Sequence, residues 1–541
     1  MAFKAPPECD KGGPERLQRP LGQQELHFKN CSSPGAMNII CGLTLVTRHQ
    51  IDEGLMKCSL QEFQHMFPHL TSRLKVQAGA TPHEEPSTLF SPMECPLLPL
   101  DTFFTCRDML HAPFDEEQGP LWRVQHITEA TMEAAKLGLG PELAAIVEDD
   151  ADSATRWRYF LRYMQGRVNQ RNIEPFDATE EGFRNFILFT FHPSVTDTVG
   201  VFHMLRQFLV ILDSILVLDG NTAPPPDVGV VAQNALPPPI DPFLSSQSYS
   251  LREWATPSIT SLRDYIYPRK SPLECWGNSE EQRSEDGVQV LRGWLSETET
   301  RELLAIMDED DSSLHGTHSV LKRYLNFTLI LLFVGVLLTA SVISISRMLE
   351  TEEISSAAIK ISNDINLRQF NQNLPKIGCL SSSYEADYPC RDVTTRSEFW
   401  KIAHENTVKH QLARDQNSHK IQSMKKCPTP YFCEMSVASF GNLGLLFRNK
   451  GLSEVSKLDS IQTWNKPLNE VQHNIRLEDV FHVVNGRGLG VPFHQSVHIL
   501  HGKLNYFLTY DTHLVPDQRH ALMIRDETIN VLRMAVDIHQ D

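Results

Sequence analysis

Residues 325–345 run through 21 consecutive positions without a charged side chain, Leu325-Asn326-Phe327-Thr328-Leu329-Ile330-Leu331-Leu332-Phe333-Val334-Gly335-Val336-Leu337-Leu338-Thr339-Ala340-Ser341-Val342-Ile343-Ser344-Ile345. Any fold of this chain has to take that surface out of water. As an α-helix rising about 1.5 Å per residue, the segment reaches about 30 Å, the thickness of the hydrocarbon layer of a bilayer. Lys322 and Arg323 precede it, and Arg347 is followed by Glu350, Glu352 and Glu353. The positive-inside bias therefore predicts a membrane protein, single-pass or anchored, with its N-terminal side in the cytosol. Burial of the helix inside the protein is the competing solution.

The rest of the chain reads as ordinary folded protein. It is 41% hydrophobic and 22% charged, close to globular averages, and its length corresponds to about three to four domain equivalents. The net charge of −17 argues against a nucleic-acid partner, which would call for a basic face. Residues 1–25 have no apolar core and no signal-peptide h-region, so they are expected to form a disordered tail. Residues 128–182 read as an insertion. Its acidic run Glu148-Asp149-Asp150-Ala151-Asp152 is read as a solvated loop, because nothing places the carboxylates around one point. Residues 223–290 are rich in proline and read as an extended crossover.

Cysteine and histidine patterns indicate no metal site. Of 11 cysteines, seven precede the apolar segment and four follow it, Cys379, Cys390, Cys427 and Cys433. Four could pair as two disulfides on a lumenal side, while small buried apolar residues are the alternative reading. No C-x-x-C spacing occurs. His494, His498 and His501 lie close in sequence, but a strand turns successive side chains to opposite faces, which leaves metal binding unsupported. The sequon Asn30-Cys31-Ser32 falls on the predicted cytosolic side, where it would stay unmodified. A Gly-rich phosphate loop, a Gly-x-Ser-x-Gly elbow and a Cys-His pairing are all missing, which argues against nucleotide-dependent and serine-hydrolase chemistry.

Several short segments recur in a telling order. Met37-Asn38-Ile39-Ile40-Cys41-Gly42-Leu43-Thr44-Leu45 reads as a strand, and Leu55, Cys58, Phe63, Met66 and Phe67 recur at roughly helical spacing before Pro68-His69-Leu70. Pro113-Phe114-Asp115 leads to Gly119-Pro120-Leu121-Trp122-Arg123-Val124, a turn opening a strand. Phe189-Thr190-Phe191-His192-Pro193-Ser194-Val195-Thr196-Asp197-Thr198-Val199-Gly200 follows, and then Val201, Phe202, Leu205, Phe208, Leu209 and Leu212 form one apolar helical stripe. Ser296 and Glu299 make a capping box. Ile365-Asn366-Leu367-Arg368, Glu398-Phe399-Trp400-Lys401-Ile402-Ala403 and Ser439-Phe440-Gly441-Asn442 continue the series. Last comes a hairpin turning at His501-Gly502, with Leu504, Tyr506, Leu508 and Tyr510 on one face.

Taken in order over about residues 37–537, these segments resemble the CoA-dependent acyltransferase superfamily, which includes chloramphenicol acetyltransferase, alcohol acetyltransferases and peptide-synthetase condensation domains. The resemblance implies an α/β fold, a two-lobed chloramphenicol acetyltransferase-like sandwich pair with the apolar helix inserted in the second lobe. The first lobe would span residues 26–222 and the second would start at 291–324 and resume over 347–541 after the apolar helix 325–346. An active-site tunnel between the lobes is also implied, and a single membrane crossing would separate them.

The resemblance breaks at the catalytic signature His-His-x-x-x-Asp-Gly. The second histidine, the family's general base, falls on Pro193, which cannot take a proton. General-base assistance contributes about 10²–10⁴-fold. Asp197 matches the aspartate that in the family braces the loop through an arginine, and Thr198 replaces the glycine, which predicts a different loop path. His192 is the remaining candidate catalytic residue, reaching the site only if the loop shifts by one position; His203 is a weaker one. Three functions follow: a membrane-associated, catalytically impaired acyltransferase-like protein that binds a ligand or partner; an active enzyme moving an acyl group from acyl-CoA to a small alcohol or amine with His192 as base; or a structural membrane protein.

Overall fold

The computed structural model describes residues 18–32, 36–77, 87–93, 106–128, 157, 182–217, 236–241, 271–274, 287–314, 325–369, 374–417, 433–447 and 474–537. Residues 1–17, the acidic run 148–152, Cys427 and most of the 128–182 insertion and the Pro-rich crossover lie outside the described residues.

The first half contributes β1 (Arg19–Pro20), α1 (Gln23–Cys31), β2 (Ile39–Thr47), α2 (Glu53–Met66), β3 (Ser72–Gln77), β4 (Ser87–Pro92), α3 (Cys106–His111), β5 (Trp122–Thr128), β6 (Phe183–Phe191) and α4 (Thr198–Val217). The second half contributes β7 (Val288–Leu295), α5 (Glu297–Leu314), α6 (Leu325–Thr351), β8 (Ala358–Asn366), β9 (Ser381–Pro389), α7 (Arg396–Asn417), β10 (Met435–Asn442) and α8 (Leu443–Phe447). It closes with β11 (Ile475–Val484), β12 (Phe493–Leu500), β13 (Lys503–Asp511) and α9 (Gln518–Val536). A six-stranded sheet of order β7-β13-β12-β10-β8-β9 builds the second lobe, a four-stranded sheet of order β11-β2-β6-β5 builds the first, and β1-β4-β3 form a small third sheet.

Local sequence explains these elements. Asp52 caps α2 by accepting from Leu55 N at 2.7 Å. The buried face of α2 is Met56, Leu60 and Phe63, whereas the stripe expected from sequence included Leu55 and Cys58, and Cys58 is exposed. Phe63, Met66 and Phe67 of the expected stripe are buried, Leu55 is half-buried, and packing against α4 sets the buried face through Phe63. Phe63 meets Phe208 edge-on at 5.5 Å. In α4 the expected stripe Val201, Phe202, Leu205, Phe208, Leu209 and Leu212 is wholly buried. The capping box of α5 is formed, with Ser296 N donating to Glu299 Oε2 at 2.7 Å and Glu299 N donating to Ser296 Oγ at 3.2 Å. His501 and Gly502 both take positive φ, 52° and 75°, the backbone that a two-residue hairpin needs to match strand twist. Beyond that turn Leu504, Tyr506, Leu508 and Tyr510 enter the second lobe's core, while Phe507 faces the other way into a cluster with Ile40, Phe186 and Leu188 of the first lobe.

The apolar helix is the centre of the second lobe. Helices α4 and α6 are both long and apolar enough to cross a membrane, over Thr198–Leu216 and Leu332–Thr351. From Leu332 onward, however, α6 is buried by α5, α7, α9 and the six-stranded sheet, with Phe333, Val336, Leu337, Leu338 and Ile345 at 0% exposure. A Cβ on Gly335 would run into Thr407 Oγ1 and lie 2.6 Å from Ala403 O, so glycine is what lets α7 approach this closely. The polar residues of α6 also find protein partners. Ser341 Oγ donates to Gln495 Oε1 at 2.8 Å, Thr339 Oγ1 accepts from Asn406 Nδ2 at 2.9 Å, and Ser344 Oγ accepts from Thr528 Oγ1 at 3.0 Å.

The chain after α6 also returns to the first lobe. β11 pairs antiparallel with β2 from Ile475 opposite Thr47 to Val484 opposite Ile39. Residues 475–484, which the sequence division assigns to the second lobe, thus complete the first lobe's sheet. A single bilayer crossing at α6 would put β2 and β11 on opposite sides and leave no such ladder. We expect Leu337→Ala to lower unfolding free energy by about 2–5 kcal/mol, the cost of a core cavity. Chemical denaturation measures it; a lipid-facing leucine would give a far smaller loss.

Candidate functional site

The segment after β6 joins the lobes through one carboxylate. Asp197 accepts from Gly200 N at 2.8 Å as the cap of α4, and from Leu380 N at 2.8 Å across the lobe boundary. The Arg368 guanidinium binds it in a two-pronged pair, 2.9 Å on each arm, and donates also to Gly378 O and Lys376 O. Asp197 and Arg368 side chains are only 6% and 10% exposed, which makes the pair stronger than a surface one. Thr198 opens α4 directly and is absent from the positive-φ residues, so the loop needs no glycine there. Gly200 does need to be glycine: a Cβ would run into Thr196 Oγ1 and lie 3.2 Å from Arg368 Nη2.

His192 and Pro193 face different ways. Pro193 lines a chamber of about 120 Å³ between the lobes. His192 is 2% exposed and does not line it. Its Nδ1 lies 2.7 Å from Ser194 Oγ and its Nε2 3.1 Å from Ser32 Oγ and 3.4 Å from Glu116 Oε1, with Phe114 edge-on at 5.7 Å. Ser32 Oγ spends its proton on Lys29 O at 2.7 Å, so it accepts from His192 Nε2–H, leaving Nδ1 to accept from Ser194. Both ring nitrogens are therefore occupied. Burial would raise the Glu116 carboxyl, but hydrogen bonding from His192 and the nearby Lys29 ammonium outweigh it and hold it below the usual range. His203 does not line the chamber either; burial first, then the charges of Arg368 and Lys376, push it down to about 4.

The chamber wall carries other polar groups, Asp364, which the sequence did not single out, and His494 of the histidine cluster. β8, β10 and β12 lie side by side and parallel, with Ser436 opposite both Ser362 and His494. Asp364, two residues beyond Ser362, therefore shares a face with Ala438 and His494, and all three line the chamber. His494 is 4% exposed and neither ring nitrogen has a hydrogen-bond partner among the described residues. His482 of β11 and His498 of β12 are likewise buried without partners for their ring nitrogens. His501 sits in the hairpin turn and donates from Nε2–H to Leu477 O at 2.7 Å. Among the described residues no group of three or more His, Cys, Asp and Glu side chains could hold a metal ion.

No family model matches this sequence, and no curated protein matches it. Solved structures do. The trichothecene 15-O-acetyltransferase TRI3 from Fusarium sporotrichioides aligns with TM-score 0.52 at 11% identity, covering 96% of each chain. Polyketide synthase associated protein 5 from Mycobacterium tuberculosis aligns with TM-score 0.51 at 14% identity, covering 95% of this chain and 98% of that one. The first condensation domain of the CDA synthetase aligns with TM-score 0.51 at 9% identity, again over 96% of both. The chain thus has the two-lobed fold of the CoA-dependent acyltransferases and condensation domains.

Two outcomes follow for stability. Asp197→Ala strands Arg368 and uncaps α4, and should cost about 3–5 kcal/mol in urea unfolding; a loss below 1 kcal/mol would show that the lobes do not depend on the pair. Burial pushes His494 down to about 4, His498 to about 3 and His482 well below its ordinary 6.5. The unfolded chain therefore takes up these protons first as pH falls below 6.5. Stability should be full above that value and drop on acidification, each histidine adding up to about 1.4 kcal/mol per pH unit. His498→Leu should flatten the slope of melting temperature between pH 6.5 and 5.

Proposed function

We propose that this protein is an acyltransferase-like ligand-binding protein in which the ordinary base chemistry of the fold is lost. The observation that carries the reading is the orientation at the signature: Pro193 occupies the chamber wall where an imidazole would have to stand, and His192 is turned away onto Ser32, Ser194 and Glu116. A one-residue shift that brought His192 into the chamber would break both serine contacts and the bond from His192 N to Leu121 O. Acyl-CoA and a small alcohol or amine remain the ligand classes that the fold suggests. The chamber binds without an aligned proton acceptor at the usual place, so any acyl transfer by that route is slow.

In this reading α6 serves as the second lobe's core helix and both lobes lie on the same side of any bilayer, with membrane contact at most peripheral. Burial of α6 and the β2–β11 ladder support it. Purified full-length protein should release no CoA from short-chain acyl-CoA above the buffer rate with alcohol or amine acceptors, and His192→Ala should change nothing. Turnover that disappears in His192→Ala would overturn the reading. In cells, reporters at the two ends should report the same compartment; opposite compartments would restore the single crossing.

A further inference from the structure

We propose that the imidazoles of His482, His494 and His498 form an acid-operated latch in the seam between the lobes, shut while all three are neutral and released when they take up protons, so that the lobes part and the chamber opens. The latch does not depend on which ligand the chamber binds.

The three residues meet from both sides of one boundary. His482 belongs to β11, the edge strand of the first lobe's sheet, whereas His494 and His498 belong to β12, in the middle of the second lobe's sheet. Four residues apart on one strand, His494 and His498 point to the same face, and His482 comes close enough to feel the charge of both. Its ring meets Phe202 of α4 at 5.3 Å and Phe440 of β10 at 5.1 Å, one from each lobe. The His498 ring stacks on Phe507 at 5.6 Å, and Phe507 packs against Ile40, Phe186 and Leu188 of the first lobe. His494 lines the chamber. His482, His494 and His498 are 0%, 4% and 0% exposed.

Enclosure makes these rings a liability in acid. Burial pushes His494 down to about 4 and His498 to about 3; it holds His482 well below its ordinary value, and the other two histidines add to that. None of their ring nitrogens has a hydrogen-bond partner among the described residues, so a proton added there stays uncompensated. The charged neighbours offset little of it. Asp479 of β11 favours the His498 cation, but its two oxygens already bind Arg292 of β7 at 2.8 and 2.9 Å, and Arg292 opposes that cation. On the chamber side stand His27 of α1, Asp197, which is held by Arg368, and Asp364 of β8, which is exposed. His501 at the hairpin turn donates Nε2–H to Leu477 O and keeps that bond when charged.

An imidazole released to water returns to about 6.5. Above that pH the rings are neutral in both forms and the seam keeps its full stability. Between 6.5 and about 4 each histidine favours the open form by up to about tenfold per pH unit, and three together by up to about a thousandfold. The ion pairs Asp197–Arg368 and Arg292–Asp479 hold the seam against this, which gives the latch a threshold.

The experiment is small-angle X-ray scattering with far-UV circular dichroism on the full-length protein from pH 7.5 to 4. We expect the radius of gyration to rise reversibly within about one pH unit while the dichroism keeps its pH 7.5 shape, with a slope that reports uptake of about three protons; this arm needs no variant. His494→Gln and His498→Gln should each lower that count to about two. An unchanged radius down to pH 4 would overturn the latch. So would a radius that rises only together with loss of the dichroism, since general unfolding also protonates His69, buried inside the first lobe. A proton count that both substitutions leave at the parent's value would overturn it as well.

Discussion

The Asp197 carboxylate anchors the signature segment at the lobe boundary. Two backbone amides and both arms of Arg368 converge on it, so it caps α4, holds the 378–380 segment and ties the lobes together at one point. Carboxylates satisfied this fully in near-buried positions are costly to disturb, because each partner left behind is itself buried. The segment from His192 to Gly200 is fixed between that anchor and β6. Its path then decides which side chains reach the chamber: Pro193, Thr196, Thr198 and Val199 do, and His192 does not.

The division of labour among polar groups follows from that geometry. The signature end of the chamber has a structural aspartate, a proline and an imidazole held outside. The opposite wall, where β8, β10 and β12 run parallel, has the exposed Asp364 carboxyl and the buried His494 imidazole, whose ring nitrogens have no partner among the described residues. The fold has kept its chamber while its polar equipment lies on the wall away from the usual catalytic position.

Much of the architecture was legible in the sequence. The α4 stripe, the Ser296–Glu299 box and the His501-Gly502 hairpin are local signals, and each is realised because tertiary packing agrees with it. The ordered motifs were sufficient to indicate a fold that solved structures share at 9–14% identity. α6 was legible as a helix but not as a core helix, since hydropathy measures the need for an apolar environment and a large second lobe meets that need as well as lipid does. The Ser and Thr side chains within it were the available hint, for they match partners on α7, α9 and β12. Asp364 was not legible as a site residue. Its signal is a charge on the polar face of a strand, Ser362, Asp364 and Asn366 alternating with Ile361, Asn363 and Ile365, and only the register of β8 against β10 and β12 shows that this face lines a chamber.

Under the proposed function, the chamber receives an acyl group with no base standing at the signature position. A crystal structure of the full-length protein with a non-hydrolysable acyl-CoA analogue tests it most directly. The account predicts the thioester carbonyl between the lobes beside Pro193, with the His192 imidazole still bridging Ser32 and Ser194. An imidazole of His192 swung into the chamber, within hydrogen-bond reach of the position an acceptor would occupy, would contradict it.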